Sequence, residues 1–282
     1  MKARPSFFII LLTILFSSFA FSQEAPKDKP QYGWHNELVA GLNLTQTSFD
    51  NWSKGGDNTL AWQMNLNFKF VNNQEKFNWA NSGGLSYGQT KIADEEMRKS
   101  VDEFKIESVL TYKIGIYINP FVAVTGETQT LSGWDYGKSP KEKISAFMDP
   151  GYFRESFGVG YEPNTTVKTR LGFAMKQTVT DEFPARYTGD AEEKIKNEIG
   201  AESVTDVSWK INEGSLLISK LELFSNVKAF DEIDVNWDNV LTAKVSKYVN
   251  MNFNVKLIYD KDISKKRQLK QALALGLTYS FL

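Results

Sequence analysis

The chain has 282 residues, with 33 basic and 34 acidic side chains, a formal charge of −1, one histidine and no cysteine. So even a balance offers no basic footprint for nucleic acid. Without cysteine there is no disulfide framework, no lipidated N-terminal cysteine and no cysteine-built metal centre, and one histidine adds no cluster of its own.

The N-terminus carries Lys2 and Arg4, an apolar run from Phe7 to Leu15 that continues through Phe16, Phe19 and Phe21, and small residues at Ala20 and Ser22. This pattern predicts a signal peptide over 1–22, cut before Gln23, because the apolar run is too short to span a bilayer. Residues 23–32 are polar and proline-containing and are expected to be a short periplasmic lead-in, with one domain over 33–282.

That domain alternates every second residue. The clearest strand places Leu60, Trp62, Met64, Leu66, Phe68 and Phe70 on one face and Ala61, Gln63, Asn65, Asn67 and Lys69 on the other. A helix would scatter those six apolar residues around its axis. The same period recurs over 34–49, 77–89, 103–113, 118–129, 152–161, 166–179, 201–210, 215–225, 233–245, 249–259 and 271–281, which makes twelve strands. Each is close to the ~9 to 11 residues that a tilted strand needs to cross a bilayer. The connections alternate as an even-stranded barrel requires, long at 50–58, 90–100, 130–150, 180–200, 226–232 and 260–267, and tight at 71–76, 114–117, 162–165, 211–214 and 246–248. The expected fold is therefore all-β, an antiparallel up-and-down transmembrane β-barrel of about twelve strands with short periplasmic turns and longer outer loops.

The apolar face carries the rings, Trp62, Trp79, Tyr87, Tyr112, Tyr161, Trp237 and Tyr279 among them, many near strand ends where interfacial girdles sit. The opposite face carries charge, with Lys105, Glu107, Lys113, Lys168, Arg170 and Lys176 as candidate lumen residues, joined by Lys220, Glu222, Asp234, Asp238, Lys244 and Lys256. Such a mixture in a narrow barrel points to a salt-bridged plug more than to an open conduit. A soluble periplasmic barrel would have to bury the apolar face in its own core instead.

Two loops draw notice. Asn51, Trp52, Gly55, Gly56, Asp57 and Asn58 combine a ring, paired glycines and side-chain oxygens. They could hold calcium or a sugar, and more plainly they let a hairpin loop fold back over the barrel mouth. In 191–200, Glu192–Lys196 and Glu193–Asn197 are four apart before Gly200, which predicts a short outer helix. His35, beside Trp34, is the only candidate base; no nucleophile elbow or phosphate loop accompanies it, and no cofactor is expected.

The mature chain resembles a family of bacterial outer-membrane proteins catalogued as domain of unknown function 3078. The likeness lies in Asn51-Trp52-x-x-Gly55-Gly56-x-Asn58, Thr128-Gln129-x-x-x-Gly133, Pro150-Gly151-Tyr152-Phe153 and Gly158-x-Gly160-Tyr161-x-Pro163-Asn164. It continues in Lys176-Gln177-Thr178, Leu221-Glu222-Leu223-Phe224-Ser225-Asn226, Ile233-Asp234-Val235-x-Trp237 and Tyr259-Asp260. The end, with Gly276, Tyr279 and Phe281, is similar to the signal read by the barrel-assembly machinery, although Leu282 follows the terminal aromatic. The resemblance implies an outer-membrane barrel and no catalytic residue. The expectation is a non-enzymatic barrel in the cell outer membrane, either a narrow pore or a structural partner of an envelope protein. It would be embedded in outer-membrane lipid and inserted by the assembly machinery. The alternatives are a barrel lipid hydrolase using His35 and a soluble periplasmic lipid-binding barrel.

Overall fold

A computed structural model describes residues 31–50, 53, 56–230, 232–261 and 266–281. The expected signal peptide, the lead-in up to Pro30, and Asn51, Trp52 and Gly55 of the loop motif lie outside them. From Gly33 onward the strands are β1 (Gly33–Thr47), β2 (Thr59–Asn73), β3 (Phe77–Ile92), β4 (Arg98–Tyr112), β5 (Ile118–Thr128), β6 (Gly133–Asp135), β7 (Glu142–Ser145) and β8 (Gly151–Tyr161). They continue as β9 (Val167–Val179), β10 (Ile195–Asn212), β11 (Ser215–Asn226), β12 (Ile233–Lys244), β13 (Val249–Tyr259) and β14 (Gln268–Ser280), with one short helix, α1 (Pro184–Tyr187).

Twelve of these strands close into an antiparallel barrel in chain order, and β6 and β7 form a separate hairpin in the connection between β5 and β8. All twelve expected strands are present. Closure joins the ends of the domain through a short seam, in which β1 meets β14 over five residue pairs, from Val39 opposite Ser280 to Asn43 opposite Gly276. By contrast β1 pairs with β2 along its whole length, from Gly33 opposite Asn73 to Thr47 opposite Thr59.

The register assigns every side chain to one of two faces, because directly opposed residues on neighbouring strands point the same way. Leu38 faces Phe68, Leu42 faces Met64, Phe157 faces Phe173 and Phe253 faces Leu273, all on the outer wall. Leu273, Phe157 and Leu171 remain 68%, 61% and 58% exposed there. A water-soluble barrel would hide these side chains, whereas this one turns them outward and keeps its charges inside, the reverse of a lipid carrier's apolar cavity. Rings gather toward the end of the short turns, where Trp34 and Trp79 lie 6.2 Å apart and Tyr279 and Phe281 4.8 Å apart. Tyr112, Tyr161, Trp209 and Tyr248 are exposed near the same end, the position of an interfacial belt.

Glu155 interrupts the apolar wall. It stands on the outer face of β8 between Val124 and Met175, and its Oε2 is shut from solvent with no hydrogen-bond partner among the described residues.

Two expectations for the long loops are corrected. No helix forms over 191–200; the helical turn is α1, and β10 already begins at Ile195. The spacing that suggested a helix equally serves a strand, which sends Ile195 and Ile199 outward and Lys196 and Glu198 inward, and pairing with β9 decides between them. The connection over 130–150 is likewise more than a loop, since it contains the β6–β7 hairpin.

Candidate functional site

The polar face of each strand converges on the barrel axis, and there the charges meet across the lumen. Lys105 of β4 reaches Glu222 of β11 at 3.2 Å, five strands away around the wall. Lys256 of β13 lies 3.0 Å from Glu103 of β4, 3.5 Å from Asp238 of β12 and 3.9 Å from Glu127 of β5, which is directly opposite in the ring of twelve. Glu107 takes Arg170 at 2.5 Å and Lys220 at 2.6 Å. Nearer the long loops, Lys176 is shared by Asp234 at 2.7 Å, Asp260 at 2.9 Å and Glu198 at 3.7 Å, and Arg154 lies 3.6 Å from Glu202.

These pairs are shielded. The side chains of Glu222, Lys176 and Arg170 are 7%, 10% and 11% exposed, so each depends on its partners rather than on water. Two buried rings support the charges from below. Phe224 lies under Arg154 and Lys176 at 5.8 and 5.7 Å, and Phe121 under Arg170 at 5.5 Å, within cation–π reach.

Three of the expected lumen charges sit apart from this network, Lys244 being exposed at the end of β12. Lys113 lies just past β4 and donates to Asn73 Oδ1 and the Gln74 carbonyl at 2.7 and 2.6 Å, and Lys168 pairs with Glu162 at 3.1 Å. Lys113 and Lys168, with His35, Glu37 and Lys69, line a cavity of about 520 Å³ at the turn end. No serine is among the residues lining that cavity around His35.

At the other end the long connections interlock. Asp149 is buried and accepts from the Thr180 hydroxyl and from the Asp181 and Glu182 amides at 3.0 and 2.9 Å, while Tyr187 Oη donates to the Ile144 carbonyl at 2.9 Å. Asp102 binds the Thr130 and Leu131 amides at 2.8 and 2.9 Å, tying 129–150 to β4 as well. Burial alone would push the Asp149 carboxyl up, but the Thr180 hydroxyl, the two amides and the Lys143 charge hold it below its ordinary 3.8. A depressed carboxyl contributes fully above the ordinary range and loses its contribution as pH falls through its own value. The clamp is therefore expected to loosen in acid and not in mild base. Asp149→Ala removes three hydrogen bonds to a charged acceptor. It is expected to cost about 2 kcal/mol of local stability, roughly thirtyfold in the open fraction, read as faster proteolysis within 129–150 and 180–194 while the strands stay resistant.

In the first outer loop Gly56 adopts φ +132, and a Cβ there would strike the Phe49 ring, while the Asn58 side chain receives the Phe49 amide at 2.6 Å. The described part of the loop motif thus supports its own bend. Asp57 is exposed beside it. Of the terminal signal, Tyr279 and Phe281 pack edge to face on the outer wall and Gly276 faces inward at the seam.

Residues 44–134 match the family model described as Protein of unknown function (DUF3078). Two segments of the resemblance, Asn51–Asn58 and Thr128–Gly133, fall within that span, and the others lie beyond it. No curated protein matches the chain. Among solved structures, the translocator domain of the autotransporter NalP from Neisseria meningitidis aligns at 11% identity and TM-score 0.43, covering 89% of this chain and 90% of that one. The NanC porin aligns at 8% identity and TM-score 0.42 over 87% and 100%. The KdgM porin in complex with disordered oligogalacturonate aligns at 8% and 0.35 over 88% and 100%.

Sequence reasoning finds most cations of the lumen and misses Arg154 and several acidic partners. Glu103 shares a face with Lys105 and Glu107 and was open to the same reading. Arg154, Glu198 and Glu202 also alternate inward, but each lies where the sequence pattern is weak or reads as a loop.

Proposed function

We propose that this protein is a non-catalytic integral barrel of the bacterial outer membrane that acts as a narrow passage, with its bore restricted by ion pairs that cross the lumen. The observation that carries the reading is the span from Lys105 to Glu222 and from Lys256 to Glu103, Asp238 and Glu127, which puts opposite walls in contact at mid-barrel. An apolar outer wall with a ring-rich rim supports the membrane setting, and the signal peptide expected from the sequence supports export. These together support an outer-membrane address, since strand barrels with a polar interior belong to that membrane.

Reconstitution of the mature chain into planar bilayers tests the reading. A small, steady conductance from protein that needs detergent for extraction and migrates differently on gels with and without boiling is the expected result. Inserted, heat-modifiable protein that passes neither current nor small neutral solutes would overturn the passage and favour a structural barrel serving an envelope partner. Purification in water without detergent would overturn the membrane assignment altogether.

A further inference from the structure

The lumen is not lined evenly. The span from Lys256 on β13 to Glu103 on β4 runs like a chord across the barrel and sets four strands, β14, β1, β2 and β3, apart from the rest. On the far side of that chord the interior is packed and charged: Val204, Glu202 and Phe224 are 2%, 3% and 1% exposed. On the near side the inward residues of the middle stretch are mostly small or amide-bearing, with Val39 among the exceptions. Between the levels of Glu37 and Lys270 they include Gly41, Asn67, Ser82, Gly84, Ala272 and Ala274, and no inward residue of these four strands there carries a charge.

This strip is also the open part of the interior. Asn67 is exposed although it faces inward, and Ser82, Gly84, Ser86 and Ala274 are only half-buried. Glycines keep its amides flat against the wall, since a Cβ at Gly84 would lie 2.7 Å from Asn67 Oδ1. The amides are oriented along the wall as well: Gln63 Nε2 and Ser86 Oγ donate to Asn65 Oδ1 at 2.7 and 2.9 Å. At the turn end the strip runs into the cavity of about 520 Å³ that His35, Glu37, Lys69 and Asn78 help to line, on the same strands β1–β3.

We infer that the passage is this uncharged lane under β14, β1, β2 and β3, and that it selects small, uncharged, hydroxylated solutes. The inference rests on reading the barrel as a passage. An ion between the levels of Glu37 and Lys270 would give up hydration where no inward side chain of these four strands offers a counter-charge. Glu37, Lys69 and Lys270 stand at the ends of that stretch, and the charges across the chord are committed to one another. A hydroxylated solute loses less, since each amide offers both a donor and an acceptor and each serine hydroxyl does the same.

The test is swelling of proteoliposomes carrying the full mature chain, with arabinose as the neutral probe and arabinonate as its charged counterpart. Arabinose is expected to enter faster than arabinonate. Gly41 is the place to obstruct the lane, because a Cβ there meets nothing closer than 3.7 Å. Gly41→Trp should reduce arabinose entry about tenfold by narrowing the bore, while Leu42→Trp, on the lipid side of the same strand, should leave it unchanged. Since the chain has no cysteine, Gly41→Cys can be assembled first and then modified with a bulky uncharged thiol reagent, which should stop entry in protein already folded. Arabinose entry that survives both obstructions, or arabinonate entering as fast as arabinose, would overturn the lane while leaving the passage intact. Inserted wild-type protein that admits neither solute and passes no current would instead overturn the passage itself.

Discussion

Replacing Lys256 by alanine is expected to raise single-channel conductance severalfold and to make the current cation-selective. Among the described residues Lys256 is the one cation that reaches Glu103 and Glu127 on the opposite wall together with Asp238 on the neighbouring strand. Its side chain is 14% exposed, so its removal deletes both the volume that spans the lumen and the charge that holds three carboxylates close. Those carboxylates then repel one another, draw in water and line the new opening with negative charge, the arrangement that favours cations. Breaking a shielded pair from one side also costs stability, about 3 kcal/mol, and should appear as a lower temperature for loss of the compact gel form. Lys256→Arg keeps the span and should keep the low conductance. Equal currents from the alanine variant and the wild type would show that the chord does not set the bore.

The contrast between what alternation reveals and what it hides runs through this molecule. Strands such as β2 and β13 are legible because their two faces meet two solvents, lipid and lumen, so one residue in two is under a separate demand. Where that demand weakens, so does the pattern. The first residues of β10 carry Lys196 and Glu198 inward and a polar Asn197 outward, and only the neighbouring strand reveals them as a strand. Most of the lumen's charges are legible as a face, but which of them pair is not. Lys105 and Glu222 are 117 residues apart and Lys256 and Glu103 are 153 apart, distances that only closure of the barrel abolishes. The uncharged lane is harder still to see, because it is made from glycines, alanines and amides contributed a few at a time by strands at both ends of the chain. The outer clamp on Asp149 belongs to the same class, an acid whose role is set by Thr180 and the amides beyond it rather than by its own surroundings in sequence.

The seam between β1 and β14 is where a single methyl group should matter most. Gly276 faces inward and is buried, and a Cβ on it would overlap Asn43 Oδ1 and lie 2.9 Å from the Leu42 carbonyl. With five strand pairs and the bond from the Phe281 amide to the Leu38 carbonyl among the described residues of this junction, the wall has little reserve there against a displaced strand. Gly276→Val is therefore expected to prevent closure, with an overpacking cost of about 3 kcal/mol concentrated at the seam and loss of the heat-modifiable form. The same glycine stands in the terminal segment that resembles an assembly signal, so a failure in cells has two explanations. Refolding of the purified chain into detergent micelles, where no machinery acts, separates them. If the defect is steric, Gly276→Val fails there too, and Gly276→Ala fails less when Asn43→Ala is combined with it, because the displaced amide is gone and only the Leu42 carbonyl has to yield. If Gly276→Val refolds as readily as the wild type, the glycine serves recognition during insertion, and the close approach of Asn43 is a contact the seam can do without.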